Sequence, residues 1–169
     1  MTRRLLLLLR HAKAVASAGP ASEASDQARD LTDRGRQDAS RLSKALRSQG
    51  LQPDLALVSS ALRTRRTWDL LAPFAEPAPT LVISDRIYLA EADDLLFLLR
   101  ETAEEIGSVM LVGHNPGLHE LALHLARAGG DTSGLDDGMP TCALAKFEVN
   151  GPWSDLRPHN TERFQMIRS

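Results

Sequence analysis

The chain has 169 residues, 43% of them hydrophobic and 25% charged, a length and balance that suit a single soluble domain (1–169) with its own core. A formal net charge of -2 argues against a nucleic-acid binder, which would carry a basic excess, yet leaves room for a small cationic pocket. The lone Cys142 rules out an intrachain disulfide and makes the cytoplasm the default compartment.

Arg3-Arg4 followed by Leu5–Leu9 superficially resembles a secretion signal. The apolar run has five residues and ends at Arg10, whereas a signal core needs about 7–15 and a small-residue cleavage site. A buried first strand is the better reading. No stretch approaches the roughly 20 apolar residues of a membrane span. Residues 12–31, rich in Ala, Ser, Gly and Asp, read as a loop over the strand end. Thr32 is a helix cap, and Ala39, Leu42, Ala45 and Leu46 recur at helical spacing up to Gly50, where Gly50 and Pro53 stop the helix.

Leu55–Ser59 is the second strand and Ala61 to about Phe74 the second helix. A proline-rich connection leads to a third strand near Leu81–Ser84. Asp93 to Ile106 reads as a helix capped by Asp93, with Leu95, Leu96, Leu98 and Leu99 inward. Val109–Val112 is a short buried strand, followed by a Gly113–Gly117 turn and a helix from about Leu118 to Arg127. Residues 129–140 form a Gly/Asp loop, and Cys142–Val149 and Arg163–Ile167 are late strands, the second at an edge. Strand–helix alternation of this kind predicts a three-layer α/β/α sandwich with a mostly parallel central sheet covered on both faces.

In such sheets ligands bind outside the carboxyl ends of the strands. Three strand ends here carry chemistry. Arg10 and His11 follow the first strand, and a neutral imidazole can attack phosphorus while a guanidinium grips phosphoryl oxygens. After the second strand, Arg63 lies in the first turn of a helix that opens with Ser59 and Ser60. Arg65 and Arg66 on its other faces read as solvated charge. Three arginines near a helix amino terminus oppose the macrodipole, so at least one needs an anionic partner. His114 follows the fourth strand, within Gly113-His114-Asn115-Pro116-Gly117.

Other residues weigh less. His119 and His124 repeat at five-residue spacing from His114, about 140° apart on a helix, so they read as structural or surface histidines and not metal ligands. The Asp131–Gly138 loop fails calcium-loop spacing. Ser17, in the first loop, is a candidate substrate-binding hydroxyl. Glu91 is a candidate general acid, with a helix-start or surface carboxylate as the plain alternative.

The set Arg10-His11-Ala12, Leu31-Thr32-Asp33-Arg34-Gly35, Ser59–Thr67, Gly113-His114-Asn115-Pro116 and Met139–Ala145 resembles the histidine phosphatase superfamily, the phosphoglycerate-mutase-like fold. It runs in order over nearly the whole chain. Ala12 where the family has glycine, and the short length, bring it nearest to the bacterial SixA-type phosphohistidine phosphatases. The resemblance implies His11 as the phosphorylated nucleophile, Arg10, Arg63 and His114 as phosphoryl binders, and no metal or other cofactor. It implies a phosphorylated protein as partner, with a small phosphate ester as the alternative substrate. A phosphoprotein-binding module without turnover is the alternative of another class, disfavoured because binding alone does not need His11.

Overall fold

A computed structural model describes residues 3–17, 19, 20, 22–71, 77–127 and 132–168. Its centre is a six-stranded sheet: β1 (Arg3–Arg10), β2 (Leu55–Ser59), β3 (Thr80–Ser84), β4 (Ser108–Gly113), β5 (Leu144–Asn150) and β6 (Thr161–Ile167), in the order β3-β2-β4-β1-β5-β6. The first four run parallel; β5 and β6 are antiparallel additions, with β6 at the edge.

The leucine run explains why β1 lies in the middle. Leu6, Leu7, Leu8 and Leu9 are all fully buried, Leu6 and Leu8 in one core and Leu7 and Leu9 in the other. Side chains alternate across a strand, so an uninterrupted apolar run demands cover on both faces. Each buried leucine contributes about 1.5–3 kcal/mol. One cover is made by α2 (Asp33–Ser48) and α3 (Leu62–Leu71), the other by α4 (Ala92–Arg100) and α5 (Gly117–Ala126). The chain moves outward from β1 to β2 and β3 with α2 and α3 on one face. It then returns to β4, beside β1, with α4 and α5 on the other. That reversal opens a crevice at the carboxyl ends of the strands.

Several boundaries differ from expectation. The loop after β1 contains a short helix, α1 (Glu23–Gln27), closed by a reciprocal Ser22–Ser25 capping box. The loop also folds back on itself, with Ala14 bridged to Leu31. Thr32 caps α2 as expected, accepting from the Gly35 N–H. Helix α4 starts one residue early, with Glu91 and not Asp93 at the N-cap, and the Glu91 side chain makes no capping bond. It also ends at Arg100, short of Ile106. The residues beyond turn so that Glu104 accepts from the backbone of Trp153 and Ser154 and pairs with Arg4, a tertiary demand that overrides helical periodicity. Strand β5 starts at Leu144 because Cys142, at φ 61, turns its N–H to the carbonyls of Arg10 and His11. The expected helix end at Phe74 and residues 129–131 of the Gly/Asp loop lie outside the described residues. Among the described residues no helix is long and apolar enough to cross a membrane.

Candidate active site

Parallel register puts Arg10 beside Gly113 at the ends of β1 and β4, so the residues that follow, His11 and His114, emerge at the same height. Their ring centroids are 5.2 Å apart. Arg63 enters from the first turn of α3, and Arg10, His11, Arg63 and His114 line one cavity of about 310 Å³. The structure brings these four expected residues together. It does not place Ser17 or Glu91 there: both are exposed, and neither lines the cavity.

Each imidazole is oriented by one hydrogen bond. His11 Nδ1 lies 2.7 Å from the carbonyl of Ala12; a carbonyl only accepts, so Nδ1 carries the proton and Nε2 keeps its lone pair. His114 Nε2 lies 2.8 Å from Ser59 Oγ, while its buried Nδ1 has no protein partner. Ala12 itself is fully buried in the core under α2 and α3, and its N–H donates to Thr67 Oγ1 at 3.0 Å. The third motif position is therefore a packing residue here.

The guanidiniums are equally constrained. Arg10 donates through Nη1 to the Met139 carbonyl at 2.9 Å, an oxygen that also accepts from Asn115 Nδ2. Arg63, almost fully buried, donates to the Asp26 backbone carbonyl at 2.7 Å and to Asp26 Oδ2 at 2.9 Å. Asp26 further accepts from the Tyr88 hydroxyl at 2.7 Å and Arg29 Nη1 at 2.9 Å. Asp26 is the anionic partner that the arginine-rich helix start requires. The sequence signalled that such a partner exists without saying where. Asp26, Arg29 and Tyr88 were not singled out from sequence. Arg65 and Arg66 are exposed, as expected. His119 binds the Leu135 carbonyl and His124 is exposed. Among the described residues no group of three or more His, Cys, Asp or Glu could hold a metal ion.

Burial pushes the His11 pKa from 6.5 down to about 4; the charges of Arg63, Arg10 and Arg29 act the same way and the Ala12 carbonyl opposes them. His114 falls to about 3, first through burial and then through the charges of His11 and Arg63. Asp26 is held well below the usual carboxylate range by Tyr88, Arg29 and Arg63, against the opposing effect of burial. Both imidazoles are thus neutral at pH 7.

The sign of the pH dependence follows. Protonating His11 removes its lone pair, so the acid limb of kcat/KM is expected near pH 4 and not near 6.5. Between those values the unfolded chain binds more protons than the folded one, so stability falls as pH drops from 7 to 5, by about 2 kcal/mol per histidine. A pH–rate profile with urea midpoints at pH 7 and 5 checks both. A rate limb at 6.5 with unchanged midpoints would contradict the buried neutral pair.

The histidine phosphatase superfamily (branch 1) matches the chain over residues 6–88. A solved structure of a protein from Agrobacterium tumefaciens, provisionally named phosphohistidine phosphatase SixA, is 32% identical over 86% of this chain and 92% of its own, with a TM-score of 0.75. The chain belongs to the histidine phosphatase superfamily. A second provisionally named SixA, from Nakamurella multipartitia, superposes with a TM-score of 0.77 at 26% identity, covering 96% of this chain and 95% of its own. An uncharacterized protein of Mycobacterium tuberculosis is 29% identical over 154 residues, 89% of this chain and 92% of the relative. The phosphoglycerate-mutase-like architecture and SixA-type likeness read from the motifs hold for this member of the superfamily. Its opening Arg-His-Ala stands at the end of the central strand.

Proposed function

We propose that this protein removes phosphate from phosphohistidine on a protein, through a covalent phosphohistidine at His11. The observation that carries the reading is the anchored ring of His11, whose free Nε2 sits in a cavity with three guanidiniums, those of Arg10, Arg29 and Arg63, and a second imidazole. Nε2 attacks phosphorus as the substrate's P–N bond breaks and the substrate imidazole leaves. Water then attacks the phosphorylated His11 and releases inorganic phosphate. Arg10 and Arg63 balance the negative charge on the transferring oxygens. The hydrogen bond between His114 Nε2 and Ser59 Oγ holds the second imidazole beside His11.

The leaving group is argued from what surrounds the cavity. An alkoxide needs a proton as it departs, whereas the imidazole of a phosphohistidine protonated on its second nitrogen departs neutral. Among the described lining residues Asp26 is the one carboxylate. Three donors hold it ionised, which makes it a poor acid, and Glu91 lies outside the cavity. This favours a phosphoramidate over a phosphate ester.

The test compares kcat/KM for a phosphohistidine protein with that for sugar phosphates and phosphoglycerates. The first is expected to exceed the others by at least about 100-fold, the scale of one missing general-acid contribution. A clear preference for a small ester would replace this reading with a small-molecule phosphatase. Tight binding of phosphoprotein without any phosphate release would replace it with a binding module.

A further inference from the structure

The cavity around His11 continues past its rim. Lys13 and Thr141 line it, and the same two residues line a neighbouring groove of about 460 Å³ completed by Arg34, Asp38, Arg41, Pro140 and Arg168. This groove sets four cationic side chains against one carboxylate, in a chain whose net charge is -2. Arg34, Asp38 and Arg41 share one face of α2 by their spacing. Asp38 is largely buried and pairs with Arg34 at 3.7 Å and Arg41 at 3.2 Å, while both arginines stay mostly exposed. Arg41 also lines an adjoining groove with Arg36 and Lys44. The cationic surface therefore runs outward from the His11 cavity along α2.

The backbone around this groove is fixed relative to His11. On one side, Cys142 donates its N–H to the carbonyls of Arg10 and His11, which ties the Pro140–Thr141 floor to the end of β1. On the other, the backbone of Lys13 presses on the start of α2. Its carbonyl accepts from the Thr32 N–H and lies where a Cβ on Gly35 would come within 2.2 Å. Only glycine permits that approach.

An ordinary solvated face intersperses both signs of charge. Here one sign collects in a concavity that opens into the place proposed for the phosphoryl group. We infer that the groove docks an acidic segment of the phosphorylated partner, its carboxylates lying against Arg34, Arg41 and Arg168. This inference rests on the phosphohistidine-protein reading and adds to it a recognition surface of defined charge.

Three probes test it: a short phosphohistidine peptide flanked by Asp and Glu, the same peptide flanked by Ser and Gln, and free phosphoramidate. The native protein is expected to favour the acidic peptide by about tenfold in kcat/KM, the scale of a few exposed charge pairs, with the ratio shrinking at high salt. In Arg34→Gln/Arg41→Gln/Arg168→Gln the ratio falls to near unity while phosphoramidate turnover is unchanged. Equal rates on both peptides with the native protein, or a preference that survives the triple substitution, would overturn the inference. If none of the three probes is hydrolysed, the phosphohistidine reading fails and binding decides the groove separately. The unphosphorylated acidic peptide should bind the native protein about tenfold more tightly than the triple variant by fluorescence anisotropy. Equal binding, or stronger capture of RNA or anionic vesicles than of the peptide, overturns the docking surface.

Discussion

His11→Ala is expected to lower kcat/KM by about 10⁴-fold or more, the scale on which removal of a covalent nucleophile acts. The fold should survive. His11 follows the buried leucines of β1 at the strand's end, and its side chain makes one hydrogen bond, to a neighbouring carbonyl. Circular dichroism and thermal unfolding of the variant should match the native protein. Native protein quenched during turnover of a radiolabelled phosphohistidine substrate should carry acid-labile label that the variant lacks. A near-native rate for the folded variant would remove the covalent mechanism altogether.

Arg63→Ala is expected to cost about 10²–10³ in kcat/KM, as for loss of one preorganised donor to a developing charge. Two causes act together. The transferring oxygens lose a guanidinium, and Asp26 loses the cation that neutralises it, leaving a less shielded carboxylate in an anion-binding cavity. Removing Asp26 as well should therefore recover part of the loss, so the double variant is expected to exceed Arg63→Ala alone. A lysine at position 63 restores charge without the planar fork and should fall between alanine and the native residue. A loss of less than about threefold in Arg63→Ala, against the expected hundredfold, would remove Arg63 from the proposed phosphoryl clamp.

The parts of this site legible from the amino acids are those positioned by buried strands. An apolar run bounded by Arg10-His11, another by Ser59, and a third by Gly113-His114 mark where each strand must end, and parallel packing then dictates that those ends meet. Helix α1 left no such mark, because none of its residues is buried and it carries no apolar stripe to give a period. Its most consequential side chain, Asp26, acts through hydrogen bonds to Arg63 and Tyr88, residues 37 and 62 positions away. No local pattern encodes such a contact. Glu91 was a candidate acid because of its place after the third strand. The way α4 begins turns it to solvent, and the carboxylate that reaches the cavity, Asp26, comes from the loop after β1.

The register of β1 against β4 has a consequence for how the molecule loosens. The His11 N–H donates to the Gly113 carbonyl, so both imidazoles hang from the two central strands, whose backbone opens only with global unfolding. Asp26 hangs instead from a five-residue helix none of whose own residues is buried, the kind of segment that opens at far lower free energy. The two halves of the cavity therefore keep different clocks. The imidazole pair stays in place as long as the protein is folded, while the carboxylate facing Arg63 can leave and return many times within the life of a single native molecule.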